Sequence, residues 1–261
     1  MNNQLDTVIK NITEVKERVA KAALLVGRDP KTIKIVAATK TVPAEIINFA
    51  CENGISCIGE NRVQELLEKY DKLNKEKIEI HFIGTLQTNK VKYIIDKVEM
   101  IHSVDSVKLA EEISKQAKKH GIVMKILIEV NIGAEESKSG VSPEDVIPLL
   151  EKIASFEGVS VQGLMAIPPA GKSIVEEERN ETNIGNNSSK MHYNENKNKT
   201  FDYFQKIQQI VIDISAKKID NITIKDLSLG MSGDFEEAIK AGSTMIRPGR
   251  ILFGDRVTST K

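Results

Sequence analysis

Apolar residues recur along this chain in two rhythms that take turns. One is a short run in which nearly every position is apolar, as a strand covered on both faces requires. Eight such runs can be marked: "IKIVAAT" (33–39), "ISCIG" (55–59), "IEIHFIG" (78–84), "EMIHSV" (99–104), "MKILIEVNI" (124–132), "VSVQGLMAI" (159–167), "IKDLSL" (224–229) and "TMIRPG" (244–249). The other is a longer stretch of helical character. It covers 43–53, 61–73, 86–97, 105–119, 143–155, 201–217 and 233–241, and another at about 4–26 precedes the first strand. Pro43 can open a helix, and Asp105 is expected to cap the one that follows it. "SPED" (142–145) sets Ser before Pro and two acids, and Gly54 and Gly121 stand where helices should stop.

Strands that alternate with helices predict parallel pairing through right-handed crossovers. Eight such units predict one α/β domain over 1–261, a single (β/α)8 TIM barrel with an N-terminal helix. The alternative is an open doubly wound sheet, but no G-x-G-x-x-G follows the first strand. One segment departs from the rhythm. Residues 171–200 hold seven Asn and five apolar residues, too few to offset the entropy of ordering them. They are expected to form a flexible insertion after strand six, either a solvated loop or a lid, since βα loops face the barrel mouth.

Composition narrows the partners. Lys plus Arg and Asp plus Glu number 37 each, so the formal charge is zero. That removes the electrostatic case for nucleic acid or an anionic membrane. No apolar run approaches the roughly 18 residues of a membrane span, and the N-terminus is charged and periodic, unlike a signal peptide. Cys51 and Cys57 make neither a disulfide framework nor a zinc site; they fit free thiols in a reducing cytoplasm. The Asn11-Ile12-Thr13 and Asn198-Lys199-Thr200 triplets carry no weight without an export signal.

The unusual residues gather at the C-terminal ends of the strands, where barrel enzymes build their sites. Lys40 ends strand one and Gly59-Glu60-Asn61 follows strand two. Gly84, Ser103, Asn131 and Met165 close strands three to six. Gly230-Met231-Ser232-Gly233 follows strand seven, and Arg247-Pro248-Gly249-Arg250 follows strand eight. The last two loops are the usual phosphate site of this fold. Gly230, Gly233 and Gly249 let backbone N–H groups approach an anion, Ser232 adds a hydroxyl, and a helix starting near Gly233 adds its positive end. Lys40 shares that mouth. At a free pKa of about 10.4, on the order of one lysine in a few thousand is a neutral nucleophile at pH 7. Burial can lower that pKa. A neutral amine beside a phosphate site suits an aldehyde phosphate, and pyridoxal 5'-phosphate is the obvious one, its aldehyde on Lys40 as a Schiff base.

The stretches "VAATKTVP", "IGENRVQE", "HFIGTLQTNK", "HSVDS", "EVNIGAEESKSG", "GLMAIPP" and "LSLGMSGDFEEAIKAGSTMIRPGRILFG" resemble the signatures of the pyridoxal phosphate homeostasis protein family, the YggS/PROSC-like proteins. They run from about 33 to 255 and leave out 171–200. The resemblance implies a fold-type III barrel like the N-terminal domain of alanine racemases. It also implies covalent pyridoxal phosphate, no settled enzymatic activity, and a role in vitamin B6 and amino-acid homeostasis. By the same resemblance, Lys40 is the Schiff-base lysine, Asn61 lies near the cofactor and Met165 lines its ring. Ser232, Gly233, Gly249 and Arg250 form the phosphate cradle, and Arg247 faces the pyridine nitrogen. Lys138 is a rim lysine that pairs with phosphate or receives the aldehyde. Arg250 stands where relatives often carry threonine, and Pro248 where an aliphatic residue is more usual.

Arg247 bears on activity. A guanidinium keeps its proton and has no acceptor, so a pyridine nitrogen facing it stays unprotonated and the ring is a weaker electron sink. A cofactor-binding and transfer protein is therefore expected, with amino-acid racemase as the alternative. Racemases of this type add a β-rich second domain, and eight residues follow Phe253, where strand eight is expected to end. A Schiff-base aldolase would need a general base near Lys40, and His81 and His102 lie within strands as core or rim residues. The expected partners are B6 vitamers and pyridoxal phosphate-dependent apoenzymes, the expected state is a monomer, and no metal is expected.

Overall fold

The computed structural model describes residues 2–133, 139–169 and 188–254, with side chains from 4 onward and, in the last stretch, from 200 onward. Eight strands close into a barrel: β1 (Lys34–Ala38), β2 (Cys57–Glu60), β3 (Glu79–Phe82), β4 (Met100–Val104), β5 (Met124–Val130), β6 (Val159–Ala166), β7 (Asp226–Ser228) and β8 (Met245–Ile246). Each pairs in parallel with its neighbour in the chain, and Lys34 and Ile35 of β1 pair with Met245 and Ile246 of β8. That last ladder makes a closed barrel of what could have been an open sheet.

The helices are α1 (Asn2–Leu24), α2 (Ala44–Glu52), α3 (Val63–Tyr70), α4 (Val107–Lys119), α5 (Val146–Ile153), α6 (Ser188–Lys217), α7 (Phe235–Lys240) and α8 (Arg250–Phe253). Alternation along the strands divides the core. Ala37, Ile58, Ile80, Ile101, Ile126, Leu164, Leu227 and Ile246 face outward and pack with Ile47, Leu66, Ile113, Leu150, Phe204 and Phe235 of the helices. Val36, Cys57, Met100, Leu127, Met165 and Met245 fill the inside as a separate cluster. Each fully buried apolar side chain contributes about 1.5–3 kcal/mol relative to exposure.

Helix α1 covers the seam where the barrel closes. Val8, Ile12, Val15, Val19 and Ala22 form its buried stripe. Arg18 forks onto Glu236 of α7 at 2.9 and 3.2 Å and lies over the Phe235 ring. Arg28 Nη1 donates to Ile239 O and Ser243 O at 2.9 and 2.8 Å. The first helix is thus tied to the last βα unit. No helix among the described residues is long and apolar enough to cross a membrane.

Several local expectations change. Ser106, not Asp105, caps α4, its Oγ accepting from Leu109 N at 3.3 Å; both types can cap, and only the hydroxyl lies beside that N–H. The stretch 86–97 holds a 3-10 helix, Thr88–Tyr93, instead of an α-helix. Strand β8 stops at Ile246, and the residues up to Phe253 are a turn and then α8. Pro248 has no N–H with which to continue a ladder. Of the insertion expected at 171–200, residues 171–187 lie outside the described part, and α6 begins at Ser188. Lys138 also lies outside the described residues.

Candidate functional site

Lys40 follows β1 in a turn that the surrounding structure holds in place. Thr41 takes φ 65°, the left-handed region that a β-branched residue rarely enters. Its N–H donates to Glu65 Oε1, and its hydroxyl to Lys40 O at 2.6 Å. Behind the turn, Lys69 Nζ sits 2.9 Å from Thr39 O, 3.0 Å from Glu60 Oε1 and 2.6 Å from Glu65 Oε1. Thr39 Oγ1 donates to the same Glu60 oxygen at 2.6 Å. Burial pushes the Glu60 carboxyl above its ordinary range, against the pull of Thr39 and Lys69. The half-buried Lys40 therefore stands on a braced support.

Across from it lies the turn after β8. Lys40, Gly249 and Arg250 line one cleft of about 290 Å³, together with Ala38, Pro43 and Phe253. Ser232 Oγ accepts from the N–H groups of Gly249 and Ile251 at 3.1 and 3.3 Å, which ties the loop after β7 to the loop after β8. Gly249 is pressed against β1: a Cβ there would lie 3.2 Å from Ala38 O. Gly233 has open space where a Cβ would stand. Helix α7 starts only at Phe235, two residues later than expected, and has six residues, so it sets no extended helix dipole at Gly233. Asp234 accepts from Met231 N at 2.6 Å, and burial raises its carboxyl.

Arg247 lies within the barrel. Its Nη1 donates to Ser228 O and, at 2.6 Å, to Ser228 Oγ; its Nη2 donates to Ala166 O at 3.0 Å. Nε is not used by those bonds. Burial pushes its pKa down to about 10, while Asp234 and Glu129 pull it up, so it remains a cation at neutral pH. Met165 belongs to the apolar cluster inside the barrel. Asn61 follows β2, which pairs with β1; it is not among the residues that line the Lys40 cleft, and it packs beside Gly84, where a Cβ would come within 2.2 Å of Asn61 O.

Four buried side-chain atoms have no hydrogen-bond partner among the described residues: Glu60 Oε2, Asn61 Oδ1, Ser103 Oγ and Glu129 Oε2. All four belong to the C-terminal ends of strands. An unpaired buried polar atom costs about 1–3 kcal/mol, which marks this end as built for something beyond its own fold. Of these, Glu129 has its other oxygen on Ser139 Oγ at 2.9 Å, and burial raises its carboxyl. Lys69, Glu129 and Ser228 were not singled out from the sequence, and Glu60 was placed at the barrel mouth without a role of its own. The only local signal was the spacing of Glu65 and Lys69, one helical turn apart.

A second cleft, about 610 Å³, opens at the N-terminal end of the barrel. Lys34, Lys125, Asp226 and Thr244 line it, and Lys34, Asp226 and Thr244 find partners within the fold. Lys34 Nζ is 2.5 Å from Glu79 Oε2, and Thr244 Oγ1 is 3.4 Å from Asp226 Oδ1. Size alone does not pick out the candidate site; the smaller cleft has the amine and the Gly249–Arg250 turn that Ser232 ties to the loop after β7.

A family model, alanine racemase N-terminal domain, matches residues 4–257. The pyridoxal phosphate homeostasis protein of Aquifex aeolicus is 42% identical over 247 residues, covering 95% of this chain and 97% of its own. A solved structure of a Bifidobacterium adolescentis protein superposes with a TM-score of 0.83 at 31% identity over 97% of both chains. PipY of Synechococcus elongatus, solved with pyridoxal phosphate bound, gives 0.72 at 28% identity, covering 92% of this chain and all (100%) of that one.

Proposed function

The chain belongs to the alanine racemase N-terminal domain family and, within it, to the pyridoxal phosphate homeostasis proteins, and from that premise we propose that it holds pyridoxal 5'-phosphate on Lys40 and serves intracellular supply of the cofactor. One observation carries this: the braced lysine after β1 and the Gly249–Arg250 turn after β8 line a single cleft. The residues present fit the group. Gly249 lets the turn pack close against β1 beside Lys40, Ser232 Oγ gathers the Gly249 and Ile251 N–H groups, and orphaned polar atoms lie at the strand ends. When bound, pyridoxal phosphate supplies an aldehyde that an amine takes up with loss of water.

Each residue then has a task. Lys40 is the amine, and the Glu60–Lys69–Glu65 cluster keeps its turn from wandering. Ser232, Gly249 and Arg250 hold the phosphate. Gly233 lies on the same loop. Met165 and Asn61 border the ring. Arg247 keeps a proton donor beside the pyridine nitrogen and, staying charged, leaves that nitrogen without a proton. This supports holding over turnover, and so does the name of the Aquifex relative. A cytoplasmic setting, a monomeric state and hand-over to apoenzymes belong to the same proposal. Of the departures from relatives, Arg250 adds a cation to the cradle.

Borohydride reduction followed by peptide mass spectrometry tests it. The fixed label is expected on Lys40, and Lys40→Ala should stay colourless. A label on another lysine in both proteins overturns the assignment. Incubation with either enantiomer of alanine or serine should leave it unchanged; racemisation at ordinary enzyme rates would favour the racemase alternative.

A further inference from the structure

Four buried polar side chains inside the barrel form an unbroken line from its floor to Arg247. His81 Nε2 is 3.4 Å from Glu79 Oε2, and His81 Nδ1 is 2.9 Å from His102 Nε2. His102 Nδ1 is 2.9 Å from Ser228 Oγ, which is 2.6 Å from Arg247 Nη1. The line crosses strands β3, β4 and β7 and ends just past β8. His81, His102, Ser228 and Arg247 are all buried. Nothing in the cofactor-binding proposal uses the two histidines.

The chemistry of the two ends dictates where every hydrogen lies. Arg247 can only donate, and an ionised Glu79 can only accept. Ser228 Oγ accepts from Arg247, which leaves its own hydrogen for His102 Nδ1. His102 must then carry its hydrogen on Nε2 and donate to His81 Nδ1. His81 in turn carries its hydrogen on Nε2, facing Glu79. The opposite order would set the bare Nε2 of His81 against a carboxylate and leave Ser228 Oγ between two donors. A proton added to His81 forces that outcome at the upper end. His81 would then donate from Nδ1, His102 would switch to its Nδ1–H tautomer, and Ser228 would receive from both His102 and Arg247.

We infer that His81 and His102 are positioning residues for Arg247, both neutral and both in the Nε2–H tautomer, forming a directed hydrogen-bonded line that sets the donor facing the cofactor ring. The inference rests on the proposal that Arg247 faces the pyridine nitrogen. The charged and titratable groups around the two rings are Lys34 on β1, Cys57 on β2, Glu79 on β3, Asp226 on β7 and Arg247 after β8. Lys34 and Glu79 pair with each other, so the lower end presents the line with a carboxylate already balanced by an ammonium.

Long-range proton–nitrogen correlation on cofactor-free protein labelled at histidine nitrogen reads the tautomers directly. At about pH 8, above the ordinary imidazole range, His81 and His102 should both show the Nε2–H pattern. An Nδ1–H pattern for either ring at that pH overturns the inference. The cofactor readout uses His102→Phe, which removes the acceptor beneath Ser228, and His102→Asn, which restores an oxygen near that place. The first should weaken pyridoxal phosphate binding about tenfold, one hydrogen bond's worth, and shift the pH midpoint of the absorption band. The second should recover most of both. Equal loss in the two variants would make the role merely structural and overturn the inference. If the wild-type chain bound no cofactor, the proposed function would fail instead, and the tautomer experiment would still return its own answer.

Discussion

The two ends of this barrel use the same kinds of residue to opposite effect. At the floor, Lys34 meets Glu79, Thr244 meets Asp226, and the exposed ends of these side chains reach solvent. At the mouth, Glu60, Asn61, Ser103 and Glu129 each bury a polar atom that no described residue answers. A floor whose charges balance locally stabilises modestly and asks for nothing else. A mouth with unanswered acceptors is less stable than the same fold need be, and such sacrifice is tolerated where a ligand completes the set. The contrast also favours the mouth over the larger cleft at the floor as the candidate site.

The largest effect should come from the brace under Lys40. Glu60 is fully buried, and Lys69 is its charged partner at 3.0 Å. Lys69→Ala would strand a buried carboxylate, at a cost of about 3 kcal/mol or more in folding stability. Urea denaturation of the cofactor-free protein measures it, and a loss below 1 kcal/mol would mean, on the scale of exposed pairs, that mouth and floor do not differ in kind.

Next in size is a pH dependence carried between the two ends. Burial holds the pKa of His102 well below the ordinary value of 6.5, with His81, Arg247 and Lys34 adding to it. The unfolded chain therefore takes up a proton there that the folded chain refuses. That contribution is fully present above pH 6.5 and is lost as pH falls, at up to about 1.4 kcal/mol per pH unit. Denaturation midpoints across that range should slope downward toward acid, and His102→Phe should flatten the slope. An unchanged slope in that variant would assign the acid sensitivity elsewhere.

The orphaned acceptors offer a finer separation, since their removal should divide stability from binding. Asn61→Ala deletes an unsatisfied oxygen, so the cofactor-free protein should change by no more than about 0.5 kcal/mol. Affinity for pyridoxal phosphate should fall about tenfold. A large loss of stability without a change in affinity would make Asn61 part of the frame and not of the site.

How far the sequence showed this contrast depends on whether a feature is local. The eight apolar runs are local, and they predicted the barrel, its order and its closure. Lys40 and the glycine turns could be placed because each stands at a strand end, so topology alone brings them to one mouth. The Lys69–Glu60 brace could not, because its partners meet across a strand and a helix with nothing in either segment to announce the pairing. The same holds for His81, His102 and Ser228. Each reads singly as a core residue, and only barrel closure aligns three strands into one hydrogen-bonded line. Asp105 and Ser106 differ by one position in a cap, a choice that side-chain geometry makes. Strand eight ran shorter than its apolar run because Pro248 ends the ladder. Lys138 and residues 171–187 fall outside the described structure, so the choice between a solvated loop and a lid stays open there; deleting 171–200 should leave cofactor binding intact, and a large loss of affinity would favour the lid.

The smallest effect should come from the floor. Lys34 and Glu79 approach to 2.5 Å, yet their side chains stay 36% and 48% exposed. The hydrogen bond from His81 and the nearby Lys34 hold the Glu79 carboxyl down to about 2, and Glu79 in turn raises the Lys34 ammonium. A depressed carboxylate stabilises only while ionised. Its contribution is present above 4.5 and disappears as pH falls toward about 2. Solvent screens a pair this open, so Lys34→Ala should cost no more than about 1 kcal/mol near neutral pH. The difference from wild type should shrink further at about 1 M salt, where the screening length is only about 3 Å. A loss that matched Lys69→Ala and ignored salt would show that the floor pair is sealed from water, and the two ends of the barrel would then be built alike.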